Sequence, residues 1–255
     1  MDFKNKVILV TGASRGIGAA IAQAFAGEGA LVVVNYLRNE SAAAQVVEHC
    51  KEVGGDAWAI PADVMDASAV NAMVEQVMME TGRIDVVVNN ALRAYRFNPD
   101  LRRRFQELDA SAYRQQFDAA VESACNVCKA VLPYMRQRAA GSIINISSDL
   151  VEHPVVPYHD YATAKAAMVG FSRHLAAELG PSGIRVNCVA PGLVWPTDAS
   201  RETRESIREQ LAGQTPLRRI ATPKDVTGPV MFLASDWSRF MTGQVLYVDG
   251  GLVMR

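Results

Sequence analysis

The sequence predicts an α/β fold: a doubly wound parallel sheet of seven strands with helices on both faces. Three observations predict it. Seven short apolar runs recur along the chain, stretches with helically spaced apolar residues lie between them, and no tight-hairpin signal joins any two. With 255 residues, 49% hydrophobic and 21% charged, the chain can bury a large core and is too apolar for disorder. Nothing in the middle resembles a linker, so residues 1-255 read as a single domain.

Val7 to Val10 form the first strand, β-branched enough to be buried on both faces. Gly12, Gly16 and Gly18 then punctuate a turn, and Ile17, Ile21 and Phe25 recur at helical spacing. Strand, glycine turn and helix in that order set the free N–H groups of a helix N-terminus beside side-chain-free backbone, which attracts phosphate. The plainer alternative is a tight turn without a ligand. Leu31 to Tyr36 form the second strand, which runs into Asn35-Tyr36-Leu37-Arg38. A dinucleotide site selective for NAD carries an acidic residue there, on the adenosine ribose. Tyr36 cannot repel a 2′-phosphate, and Arg38 with Arg15 pairs with one, unless both arginines are only solvated. NADP(H) is therefore expected in preference to NAD(H).

The third strand, Ala57 to Ile60, leads to Asp63-Val64, suited to an adenine edge or, for Asp63, to capping a turn. Asp66 is a plausible N-cap for a helix with Val70, Met73, Val74 and Val77 on one face. Ile84 to Asn89 form the fourth strand, and Asn89-Asn90-Ala91 opens a loop where backbone and cofactor meet. Tyr113, Phe117, Val121, Ala124, Cys128 and Val131 mark a helix expected to end or kink near Pro133. The fifth strand, Ser142 to Ser147, is followed by Ser148, and Tyr161 and Lys165 open the next helix. At i, i+4 the two share a face, and a cation beside a phenol favours phenolate, making Tyr161 an acid or base nearer neutrality. Ser148 can donate to a carbonyl oxygen as charge develops on it. Ile184 to Ala190 and Val245 to Val248 complete the sheet.

Net charge is −1, which gives no footprint for nucleic acid or an anionic membrane. No apolar stretch is long enough to span a bilayer, and the chain enters a strand without a cleavable apolar segment. Four cysteines do not make a disulfide framework, and Cys125 and Cys128 read as core thiols in a helix. A cytoplasmic protein is expected. No His, Cys, Asp or Glu cluster has metal-ligand spacing.

Together, Thr11-Gly12-Ala13-Ser14-Arg15-Gly16-Ile17-Gly18, Asn89-Asn90-Ala91, Ser148, Tyr161 with Lys165, Pro191-Gly192, Thr242-Gly243-Gln244 and Val248-Asp249-Gly250-Gly251 resemble the short-chain dehydrogenase/reductase family over essentially the whole chain. The likeness is strongest to its 3-oxoacyl-[acyl-carrier-protein] reductase-like members. It implies a Rossmann-type sheet and hydride transfer between the nicotinamide C4 and a carbonyl carbon. On that likeness Tyr161 protonates the oxygen, Ser148 holds it, and Lys165 binds the nicotinamide ribose while tuning Tyr161. Gly12, Ser14, Arg15 and Ile17 contact phosphates and ribose, with Gly16 and Gly18 completing the turn. Asp63 and Val64 meet the adenine, Asn90 and Ala91 lie over the adenosine side, and Pro191, Gly192 and Val194 lie near the carboxamide. The substrate is a small-molecule or acyl-thioester carbonyl compound. A homo-oligomer, dimer or tetramer, is implied, its dimer face made by the helix from about Ser111 and the one opened by Tyr161.

Three departures from the family pattern stand out. Leu92 replaces a glycine after Asn89-Asn90-Ala91, and Ala120 aligns with the helical asparagine that holds a relay water behind the lysine. Ser123 is a possible substitute for that polar group. The threonine expected after Pro-Gly aligns with Pro196, and Thr197 follows one residue later. Residues 92–105 carry Arg93, Arg96, Arg102, Arg103 and Arg104, either a solvated loop tip or a device that steers an anionic substrate. Basic positions used for carrier docking align with Ala139 and Ser182, with Arg136, Arg138 and Arg173 nearby as compensation. Residues 193-217 match the family's mobile substrate lid. Trp195 and His153 are substrate-pocket candidates, and His159 a candidate for proton exchange. Two alternatives remain: a dehydrogenase for another alcohol, ketone or sugar, and a cofactor-binding sensor with weak catalysis.

Overall fold

The computed structural model describes residues 1–92 and 95–254. One sheet of seven parallel strands runs in the order β3-β2-β1-β4-β5-β6-β7. Its strands are β1 (Val7–Val10), β2 (Leu31–Tyr36), β3 (Asp56–Pro61), β4 (Val86–Asn89), β5 (Gly141–Ile146), β6 (Ile184–Pro191) and β7 (Val245–Val248). Around it lie α1 (Gly16–Gly27), α2 (Glu40–Glu52), α3 (Ala67–Thr81), α4 (Ala110–Phe117), α5 (Ser123–Arg138), α6 (His159–Leu179), α7 (Glu205–Gln214) and α8 (Pro223–Ala234).

Alternation along each strand divides the core. Ile8 and Val10 face one side, packing with Val32, Val34, Ile21 and Phe25 of α1, and Val226 and Val230 of α8. Val7 and Leu9 face the other, with Val33, Val87, Val70, Met73 and Val77 of α3, and Val127 and Val131 of α5. Strands covered on both faces have no solvent face to keep polar, which is why they read as unbroken apolar runs. Strand order reverses between β1 and β4, so a crevice opens beyond their carboxyl ends.

Two local readings change. The helical stretch through Phe117 does not stop at Pro133; α5 passes it and ends at Arg138, while the irregularity falls earlier, as a π turn over Asp118–Glu122. Ile84 lies outside β4, whose approach is anchored by Asp85: its buried carboxylate accepts from Val7 N at 2.9 Å and pairs with Arg83 at 2.6 Å and Arg138 at 3.0 Å. Asp66 caps α3 as expected, accepting from Ser68 N at 2.8 Å. Among the described residues no helix is long and apolar enough to cross a membrane.

Candidate active site

A cleft of about 1300 Å³ runs along the carboxyl ends of the strands. At one end lies the glycine turn between β1 and α1. Gly12 and Gly16 have φ of +61° and +57°, which favours glycine. Gly12 also lies so close to the β4 loop that a Cβ would come within 2.8 Å of Ala91 Cα. Asn90 stitches the two loops, its Nδ2 donating to Thr11 O at 3.0 Å and Gly12 O at 3.1 Å. From β2, Asn35 Oδ1 accepts from Gly12 N at 3.2 Å. No side chain caps the start of α1 and no acid occupies its first turn, so its N–H groups remain available to an anion.

Gly12, Ser14, Arg15, Gly16, Ile17, Arg38, Asp63, Val64, Asn90 and Ala91 line this end of the cleft. Gly18 and Tyr36 do not. Gly18 lies beneath the turn, where a Cβ would meet Asn90 Nδ2 at 2.5 Å and Gly12 O at 2.6 Å, so its glycine serves packing. The Tyr36 ring packs into the core, and Leu37 and Arg38 face the cleft instead. Asp63 Oδ1 accepts from Met65 N at 3.0 Å, the turn-capping alternative. Arg15 Nη1 reaches Asp198 Oδ2 at 2.8 Å, a partner on the 193–217 segment that sequence reasoning missed.

At the other end, Ser148, Tyr161, Lys165, Pro191, Gly192 and Val194 converge. Ser148 follows β5 and Tyr161 with Lys165 lies on the buried face of α6. The Lys165 ammonium donates to Ile146 O at 2.6 Å and lies 5.7 Å from the Tyr161 ring centre. Burial lowers its pKa to about 8. The expected depression of Tyr161 is not found: burial pushes the phenol above its ordinary range, Ser148 opposes this, and the nearby Asp149 adds to it. Desolvation wins because the ring is enclosed. Tyr95 lies 4.9 Å and Phe97 5.1 Å from it between ring centres, and Phe97 also meets Tyr158 at 5.4 Å. Asp160 secures this cluster, accepting from Tyr161 N at 2.9 Å and Tyr95 Oη at 3.1 Å.

Ser123, at the start of α5, turns its hydroxyl back onto the preceding π turn, donating to Ala119 O at 2.7 Å and Ala120 O at 3.2 Å. Leu92 lines the cleft, as does Thr197, whose hydroxyl is bracketed with Ser200 Oγ at 2.8 Å. Trp195 lies outside the lining, its ring covered by Arg208 at 4.1 Å. His153 borders a separate small depression, and His159 packs against Phe105 at 5.9 Å.

The loop from Tyr95 to Phe105 is fastened to the 193–217 segment. Phe97 N donates to Ala199 O at 2.8 Å, Thr203 Oγ1 to Phe97 O at 3.0 Å, and ion pairs join Arg96 to Glu202 at 2.8 Å and Arg204 to Asp100 at 2.6 Å. Arg96 is therefore already neutralised, and Arg103 lies 3.7 Å from Asp160; Arg93 lies outside the described residues. Arg136 pairs with Glu178 on the surface and Arg138 with the buried Asp85.

A family model described as enoyl-(acyl carrier protein) reductase matches residues 12–253. The 3-oxoacyl-[acyl-carrier-protein] reductase FabG of Staphylococcus aureus is 39% identical over 249 residues, 98% of each chain. An uncharacterized oxidoreductase of Methylorubrum extorquens is 40% identical over 251 residues, again 98% of each. Among solved structures, a protein of Sinorhizobium meliloti provisionally assigned as a short-chain alcohol dehydrogenase superposes with a TM-score of 0.89 at 28% identity, covering 98% of this chain and 97% of the other.

Proposed function

The chain belongs to the short-chain dehydrogenase/reductase family of oxidoreductases, and from that premise we propose that it reduces a carbonyl to a secondary alcohol with NADPH, the substrate being a 3-oxoacyl thioester. One observation carries the reading: Ser148, Tyr161 and Lys165 meet at one end of a cleft whose other end is a glycine turn on an uncapped helix start.

The residues present fit a dinucleotide. Gly12, Ser14 and Ile17 offer backbone to the phosphates, and Arg15 and Arg38 lie where β2 ends without an acid, which supports NADP(H) over NAD(H). Pro191, Gly192 and Val194 would border the nicotinamide, which supplies the hydride when bound. Ser148 donates to the substrate oxygen as charge grows on it, and Tyr161 gives that oxygen its phenolic proton. Lys165 offers its ammonium to ribose hydroxyls and sets a positive charge beside the developing phenolate. Segment 193–217 serves as the lid, and the aromatic wall of Tyr95, Phe97 and Tyr158 excludes water.

A second reading, a free ketone, alcohol or sugar as substrate, is favoured by the pairing of Arg136 and Arg138 with acids, which weakens two of the three basic side chains offered for carrier docking. We place the protein in the cytoplasm, in keeping with four free thiols. Exposed Trp237, Phe240 and Met254 support a homo-oligomer.

NADPH oxidation with 3-oxoacyl-CoA, 3-oxoacyl-carrier and free-ketone panels tests this reading, with Tyr161→Phe as control. Turnover should appear in wild type and drop about a thousandfold in the variant while NADPH still binds. Tight NADPH binding without oxidation by any carbonyl would instead make the protein a cofactor sensor.

A further inference from the structure

Ser148 is followed by an acid that sequence reasoning passed over. Asp149 is 4% exposed, lines the cleft, and has its Oδ1 3.4 Å from Ser148 Oγ. Its Oδ2 faces Gly192, where a Cβ would lie 3.1 Å away. Asp249, at the end of β7, flanks Gly192 as well, its Cβ 3.1 Å from that same position, and acts on Asp149 as a like charge. Asp249 accepts from Gly251 N at 2.9 Å and Val253 N at 2.8 Å. Two buried carboxyls thus share one pocket. Two carboxyls so placed resist carrying two negative charges at once, and the Ser148 hydroxyl and the Leu150 and Asp149 N–H groups that favour ionised Asp149 do not outweigh burial and Asp249. Burial first, and Asp249 second, raise Asp149 to about 7.

A serine hydroxyl has one proton and two lone pairs. Ser148 Oγ already accepts from Leu150 N at 3.2 Å. We propose that Asp149 is a positioning residue for Ser148: its neutral carboxyl donates to the second lone pair and leaves the serine proton free for the substrate oxygen. Once ionised, Asp149 draws that proton onto itself and puts negative charge beside an oxygen that is gaining charge. Both effects oppose reduction. The role rests on the carbonyl-reductase reading above. Other titratable groups around it are common to wild type and both variants: Tyr161 on α6 is pushed up by burial, and Lys165 on α6 is lowered by burial to about 8. Glu152 bonds Tyr247 Oη at 3.2 Å, His153 is exposed with only its backbone N–H on Asp149 O, and β6 contributes the uncharged Gly192.

The test compares pH profiles of kcat/KM for wild type, Asp149→Asn and Asp149→Ala, together with infrared spectra of the free proteins. Wild type should lose about tenfold per pH unit once Asp149 ionises, near pH ~7. Asparagine keeps an N–H donor at every pH, so its profile should start about threefold below wild type near pH ~6 and cross above it near pH ~8. Alanine, with neither donor nor charge, should lie below asparagine throughout, and below wild type only while Asp149 stays protonated. A protonated-carboxyl C=O band should be present in wild type near pH ~6 and absent from Asp149→Asn. Superimposed wild-type and asparagine profiles, or a band that survives the substitution, would overturn the role of Asp149. Failure of the reductase reading looks different: wild type oxidises no NADPH at any pH.

Discussion

Tyr161 draws its character from what encloses it. Tyr95 and Phe97 pack within 5.1 Å of its ring and strip away water, so the phenol holds its proton through neutrality. That suits an acid that must deliver a proton only when a substrate oxygen gains charge. Phe97→Ala should raise KM about fivefold while kcat changes less than about threefold, because the ring lines the cleft beside Tyr161 and carries no proton of its own. Steady-state kinetics separate the two; an equal loss in kcat and kcat/KM would place Phe97 in the chemistry. Ser148, Tyr161 and Lys165 were legible in the sequence because strand ends and an i, i+4 helical pair are local patterns. Tyr95, Phe97 and Asp149 were not. Tyr95 and Phe97 sit in an aperiodic loop dozens of residues from their partners on α6, and Asp149 is set by burial and by Asp249, which the β6–β7 pairing brings near. Tyr36 misled for the opposite reason: strand alternation turns its ring into the core.

Segment 193–217 links both ends of the cleft. It meets the glycine turn through Arg15–Asp198 at 2.8 Å and the β4 loop through Arg96–Glu202 and Arg204–Asp100. On the NADP(H) preference proposed above, Asp198 competes with the 2′-phosphate for the Arg15 guanidinium. Asp198→Asn should tighten NADPH binding about threefold and leave NADH binding unchanged, since an exposed pair contributes little but the competition is direct. Titration calorimetry with both nucleotides checks this; equal shifts for the two would disconnect Asp198 from the phosphate. Within α1, Gly18→Ala forces a Cβ against backbone 2.6 Å away and should destabilise the fold by about 2 kcal/mol. A melting temperature equal to wild type would contradict it. Elements themselves were legible almost throughout, because buried parallel strands and amphipathic helices differ in period. The exception was the helix at Asp118–Glu122, where Ser123 turns its hydroxyl onto the carbonyls of a π turn that no residue pattern announced.

At the scale of the molecule, the reversal of strand order between β1 and β4 decides where chemistry can occur. Asp85 ties the base of that region together, joining β1, the approach to β4 and the end of α5. Burial alone would raise its pKa, but Arg83, Val7 N–H and Arg138 outweigh burial and hold it below the ordinary 3.8. A depressed carboxylate stabilises the fold above its unfolded pKa, and that stability fades as pH falls through the lower, folded value. Asp85→Asn should accordingly cost about 3 kcal/mol near neutrality and flatten the acid arm of the stability curve. Denaturant midpoints that remain parallel to wild type down the pH scale would refute this. Architecture and cleft followed from the sequence because every strand announced itself; the occupant of the cleft's substrate end did not, since loops and a lid shape it. The most direct test of hydride delivery beside Tyr161 is to supply NADPH deuterated at the nicotinamide C4 and locate the label. The deuterium should appear on the alcohol carbon of the product, and Tyr161→Phe should bind the nucleotide but transfer none. Label that stays on the nucleotide with every carbonyl offered, or a phenylalanine variant that transfers it as fast as wild type, would contradict the account.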